Sequence, residues 1–156
     1  MRRKLPMANG LTPEQREARI KVVEEHMHAE NAHDIHRIMA TFGPHPTLTF
    51  NGMTFDGHAS IRAFYEELGF GSPHGGFPDL RAEVLHQHVS EDTITVEVML
   101  YGTHTQTWQG IPATGREIAV PACAVFLFDA TGKLAGERVY CDGGLLLKQM
   151  GVLPDT

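Results

Sequence analysis

Between residues 12 and 42 the apolar positions recur at helical spacing. Ile20, Val23 and Met27 share one stripe of a segment that opens with Thr12-Pro13-Glu14-Gln15: a threonine cap, a proline at the first helical position, then an acid and an amide. Arg16, Arg19, Glu24 and Glu25 mostly face elsewhere, and the helix is expected to end near Asn31. Asp34 caps a second, shorter pattern of Ile35, Ile38, Met39 and Phe42, which Gly43-Pro44 is expected to stop. The period then changes. Residues 47–50 and 53–55 are extended runs joined by Asn51-Gly52, the preferred two-residue hairpin turn. Ile61, Phe64, Tyr65 and Leu68 form a third helical stripe.

Residues 69–78 hold four glycines and two prolines, which predicts a loop long enough to rim a cavity. Four strand patterns follow. Residues 80–89 alternate imperfectly. Residues 93–108 place Ile94, Val96, Val98, Leu100, Gly102, His104, Gln106 and Trp108 on one face and a threonine-rich set on the other. Residues 116–128 are apolar on both faces, which predicts a central, doubly buried strand. Residues 133–141 make the last strand, and Asp142-Gly143-Gly144 leads into a short apolar helix. The order predicts an α+β fold: a cone-shaped, curved antiparallel sheet closed by the N-terminal helices. The strand over 93–108 must bend, and Gly102 is the expected bulge. A bent sheet closed by helices leaves one open mouth, suited to a small apolar ligand.

Bulk properties narrow the function. The 156 residues fit one domain over residues 11–156, with residues 1–10 as a flexible tail. A net charge of −6, with Arg2-Arg3-Lys4 the only basic cluster, argues against a nucleic-acid partner. No stretch reaches the roughly 20 apolar residues of a membrane span. The two cysteines, Cys123 and Cys141, make no disulfide framework and fit a reducing cytoplasm.

Several residues are candidates for chemistry. His104 shares a face with Val98, Leu100 and Trp108, so it is either a general acid/base in an apolar cavity or a hydrogen-bonded structural histidine. Asp142 either orients His104 or caps the last helix. Glu137 shares parity with Val139 and Cys141 and is a second candidate base if that face is inward. Tyr65, Trp108 and Tyr140 are large enough to stack on a planar ligand or simply to fill the core. Asn51 is either a ligand contact or only the turn residue that tolerates a left-handed backbone. The ten histidines are scattered. His86-x-His88 puts two imidazoles on one strand face with no third convergent ligand, and His26 and His28 lie on different sides of a helix, so no metal site is expected.

Gly57-x-x-x-Ile61-Arg62-x-Phe64-Tyr65 resembles a segment of nuclear transport factor two-like domains. Phe77-Pro78-Asp79-Leu80, Gly102-Thr103-His104-Thr105, residues 110–116 and Asp142-x-x-x-Leu146-x-x-Gln149-x-Gly151 together resemble the SnoaL-like, polyketide cyclase-like branch of that superfamily, over roughly residues 14–154. The resemblance implies a cone-shaped α+β barrel, a homodimer packed sheet to sheet, and ring closure of a polyketide without cofactor or metal. It puts the cyclases' acid/base aspartate at Val139, their histidine at Val125 and a neighbouring polar position at Cys123. Ketosteroid isomerases share the fold and use an aspartate whose nearest counterpart here is Asn51. A valine takes no proton. Two expectations follow: a protein binding a small apolar or polyketide-like ligand among Asn51, Tyr65, Trp108, Cys123, Val125, Val139 and Tyr140, or a cofactor-free cyclase or isomerase using His104 with Asp142 or Glu137.

Overall fold

The computed structural model describes residues 10–155. The basic cluster and nearly all of the expected N-terminal tail lie outside those residues. Helix α1, Pro13–Asn31, starts where the capping pattern places it: Thr12 Oγ1 accepts the Gln15 amide while the Gln15 side chain accepts the Thr12 amide. Asp34 caps the short helix α2, Ile35–Ala40, through the Arg37 amide. Strand β1 is Phe42–Phe50, so Gly43-Pro44 lies in a strand and not merely in a helix stop. The Asn51-Gly52 turn leads to β2, Met53–Asp56, and then to α3, Gly57–Leu68. Strands β3 (Arg81–Val89), β4 (Thr93–Thr103), β5 (Glu117–Phe128) and β6 (Leu134–Cys141) follow, and α4, Gly143–Gln149, ends the fold.

The six strands form one curved, unclosed sheet in the order β2-β1-β6-β5-β4-β3. Every neighbouring pair is antiparallel except β1 and β6, which run parallel. Helices α1 to α3 cover the concave face. The α+β expectation therefore holds, with one parallel ladder added.

Three details differ from the pattern reading. Strand β4 stops at Thr103, so His104 and Trp108 lie in the following loop, and Trp108 forms only an isolated bridge to Ile111. The β4–β5 register runs through Gly102 unbroken; the ladder shifts instead in β3, between Val84 and His86. Gly102 is small for another reason: a Cβ there would stand 3.2 Å from Leu80 and 3.3 Å from Phe77, the residues that close the loop onto the sheet. Strand β5 is buried on its concave face only. Ile118, Val120, Ala122, Ala124 and Phe126 point in, while Ala119 and Pro121 are exposed on the other side.

Pro121 is tolerated because Ala122 is the last β5 residue paired with β6. Beyond it, α4 takes over. The Gln149 side chain accepts the Ala119 amide at 2.7 Å and donates to the Ala119 carbonyl at 3.0 Å, standing in for a missing strand. Among the described residues no helix is long and apolar enough to cross a membrane.

Candidate functional site

Five polar side chains meet in an otherwise apolar core between the helices and the sheet. His26 and Glu30 lie one turn apart on α1. They join the stripe of Val23 and Met27 and face the sheet instead of solvent. Tyr65 comes from α3, Glu137 from β6, and Thr41 from the end of α2. His26 is 0% exposed and Glu137 4%. The rings of Phe42 and Phe126 stand edge-on to the imidazole. Leu48 and Phe126 flank Glu137 across the two neighbouring strands.

The hydrogen bonds define where the protons sit. Thr41 Oγ1 donates to the Ile38 carbonyl at 2.6 Å, so it accepts from His26 Nδ1 at 2.8 Å. His26 Nε2 then faces Glu30 Oε1 at 3.1 Å and the Tyr65 hydroxyl at 3.0 Å. Tyr65 gives its own proton to Glu137 Oε2 at 2.6 Å. The result is a continuous chain from Glu30 through His26 and Tyr65 to Glu137. Burial alone would lower the His26 pKa, but the charges and hydrogen bonds of Glu30 and Glu137 outweigh it and push it up to about 10. Burial raises the Glu30 pKa, and burial with the Glu137 and Glu30 charges raises that of Tyr65 well above the phenol range. The cluster thus holds extra protons in an apolar setting.

Glu30, Tyr65 and Glu137 line a cavity of about 40 Å³; His26 stands behind them. The rest of the wall is apolar, with Phe64, Phe70, Val98, Ala122, Ala124 and Val139 among its residues. One polar end facing an apolar wall can bind an oxygen function and move a proton to or from it. His26 Nε2 and one oxygen from each glutamate also lie within 4.8 Å of one another, close enough to surround one cation. The sequence reading sought a third ligand for His86 and His88; this cluster is a different set, from α1 and β6.

Of the residues singled out in sequence, Glu137 and Tyr65 enter this cluster and Val139 lines the cavity. The others do not. His104 is 0% exposed but belongs to the loop after β4: its Nδ1 accepts from the Thr114 amide at 3.3 Å and lies 3.0 Å from the Thr114 hydroxyl. It stacks beside Phe77, makes no hydrogen bond to Asp142, and burial lowers its pKa. Asp142 is exposed and caps α4, its Oδ1 accepting the Leu145 amide at 2.9 Å. Asn51 has φ 45° and clamps the hairpin to β6, donating to the Cys141 carbonyl and accepting the Cys141 amide. Trp108 packs in the core against Phe50 and Phe77.

Cys123, Val125 and Tyr140 point away from the cavity. They occupy the convex face of β5 and β6, where Cys123 stands opposite Tyr140 and Val125 opposite Arg138, and Tyr140 is 53% exposed. Strand parity separates them from Glu137 and Val139. Cys141 faces the interior, so the two free thiols are on opposite sides of the sheet. His88 pairs with Glu97 at 2.7 Å on the surface, not with Glu91.

Sequence reasoning missed His26, Glu30 and Thr41. The available signal was positional: His26 is three residues after Val23 and Glu30 three after Met27, so both continue an apolar stripe.

The SnoaL-like domain family matches residues 23–137. No curated protein matches the chain. A protein from Jannaschia sp. CCS1, provisionally named a SnoaL-like polyketide cyclase, is 20% identical with a TM-score of 0.79, over 94% of this chain and 100% of that one. AclR from Streptomyces galilaeus, provisionally named a hydroxylase, is 22% identical with a TM-score of 0.75, over 90% and 89%. SalBIII, an epoxide hydrolase/cyclase-like enzyme in pyran ring formation in the polyether salinomycin, is 17% identical with a TM-score of 0.67, over 83% and 94%. Likenesses of this degree establish the fold.

Proposed function

The chain belongs to the SnoaL-like family, and we propose that it is a cofactor-independent acid/base catalyst acting on a small, mainly apolar carbonyl compound at this polar cluster. The observation that carries this reading is the placement of two carboxyl groups, Glu30 and Glu137, on one apolar cavity, joined through His26 and Tyr65. Glu137 takes the proton from the carbon beside the carbonyl. Glu30, whose pKa burial raises, donates to the carbonyl oxygen as the enolate forms. Tyr65 and His26 connect the two, so a proton gained at Glu137 has a hydrogen-bonded path back to Glu30. The surrounding apolar wall keeps water out and strengthens each of these contacts.

The names of the structural neighbours, a polyketide cyclase and an epoxide hydrolase/cyclase-like enzyme, accord with this reading. Val139 lines the same cavity at the position where the family resemblance puts the cyclases' aspartate. Glu137 lies two residues earlier on the same inward face, roughly 7 Å away along the strand. The carboxylate is therefore shifted one inward position along the strand instead of lost.

The test is proton exchange. Incubated in D2O with a simple methyl ketone, the protein should speed deuterium incorporation beside the carbonyl. Glu137→Gln should lower that rate by about 10²-fold or more while the fold is kept. Equal rates in wild type and variant would overturn the assignment.

Val139 favours one other reading, a ligand-binding protein without turnover. In that case ketones bind and no exchange is seen. We also propose a homodimer formed through the convex sheet face, where Tyr140 is exposed opposite Cys123; a monomer by light scattering at micromolar concentration would refute it.

A further inference from the structure

We propose that the interior of the cone is a single slot for an elongated molecule: an oxygen function at one end, held by Glu30, Tyr65 and Glu137, and an unbranched apolar tail at the other. The oxygen end rests on the acid/base reading above; the tail does not.

A second cavity, of about 20 Å³, lies under α4. Its wall includes Phe77, Trp108, Ile118, Val120, Cys141 and Leu146, and it carries no charged group. Three side chains, Phe50, Leu68 and Leu100, line both this cavity and the one at the Glu137 end. They form the partition between the two. Behind the partition the floor is continuous. On β6 the inward residues run Glu137, Val139, Cys141; on β5 they run Ala124, Ala122, Val120, Ile118. Four residues from Glu137 to Cys141 cover ~13 Å of strand.

The floor of the Glu137 chamber is also low. Ala122 and Ala124 are the two β5 residues lining the Glu137 chamber, and neither has a side chain beyond Cβ. Leu68 is the last residue of α3, immediately before Gly69 at φ 137°. A leucine at a helix end beside a glycine can change rotamer without moving the helix. Displacing Leu68 and Leu100 would join the two cavities into one narrow channel, polar at one end only. Such a channel suits a chain-like skeleton better than a wide fused-ring system.

Trp108 is the only tryptophan in the sequence, and it lies at the tail end. Its fluorescence therefore reports on that end alone. The probes are straight-chain methyl ketones from hexanone to dodecanone. Affinity should rise by about fourfold per methylene until the tail chamber is full. Trp108 emission should shift with decanone and stay unchanged with hexanone. Val120→Phe, which fills the tail chamber without lining the Glu137 end, should leave hexanone affinity unchanged and abolish the gain with chain length; Ile118→Phe, which narrows the far end, should do the same for the longest members.

An affinity that is flat with chain length, or a bound decanone that leaves Trp108 unchanged, overturns the slot. The two readings fail separately. Hexanone exchange that depends on Glu137, together with flat affinity, refutes the tail chamber and supports the acid/base site. A decanone-induced Trp108 shift with no exchange supports the chamber and refutes the acid/base site. No ketone binding at any length refutes both.

Discussion

Two histidines in this protein are 0% exposed, and they behave in opposite ways. His26 lies between Glu30 and Glu137 and is pushed up to about 10. His104 has only Thr114 and the Phe77 ring beside it, and burial lowers its pKa. Burial is common to both, so it does not decide the charge. The neighbours do. One end of the fold stores a proton among carboxylates next to a cavity. The other uses a neutral imidazole to hold a loop on the sheet.

The strongest way to break this contrast is to remove each imidazole in turn. His26→Ala leaves Glu30 and Glu137 facing each other in an apolar core with no cation between them. Breaking a buried charged group in this way costs about 3–5 kcal/mol. Urea unfolding should show it as a lower midpoint with the slope unchanged. A loss under about 1 kcal/mol would mean that the buried carboxyl groups do not depend on the imidazole, and the cluster would not be the proton store described above.

Acidity sharpens the contrast further. The His26 pKa rises from 6.5 in the unfolded chain to about 10 in the folded one. Its stabilising contribution is therefore complete below about pH 6.5 and is lost as pH rises through about 10. Glu30 acts in the same direction: its raised pKa means that the folded state resists the ionisation that the unfolded chain undergoes freely. Thermal unfolding from pH 6 to pH 10 should show a falling Tm, at roughly 2–4 °C per kcal/mol lost. Glu30→Gln with His26→Gln should flatten that slope. A Tm that stays level across this range in the wild type would contradict the pairing.

How much of this was readable from the sequence differs between the two ends. The loop end was easy to recognise and hard to interpret. Gly102, His104, Asp142 and Gln149 sit in family-like motifs, and their roles are structural: close packing against Leu80, a loop bond, a helix cap and a mimic of a strand. The cavity end was the reverse. Strand parity correctly put Glu137 with Val139 and Cys141 on one face, but not which face was inside. That depends on the helices packed across the sheet, which local alternation does not encode. His26 and Glu30 were hidden because polar residues on a helix are ordinarily assigned to water. Partners of His26 that lie 39 and 111 residues away, Tyr65 and Glu137, offset the cost of that burial. The pairing of His104 with Asp142 failed for a similar reason: β4 ends at Thr103, and a strand pattern continued to Trp108 gives the wrong direction to everything after it.

The smallest expected effect is at Asp142, and it separates the two ends most cleanly. The side chain is exposed and accepts one amide, that of Leu145, at the start of a seven-residue helix. Asp142→Ala removes that cap and should cost about 1 kcal/mol. Helix α4 also holds Gln149 against Ala119 and Leu146 over the tail chamber, so the loss is confined to that end. Ketone exchange at Glu137 should change by less than twofold, whereas the affinity gain for the longest ketones should shrink. A large fall in the exchange rate itself would bring Asp142 back into the chemistry and erase the distinction between the two histidine ends.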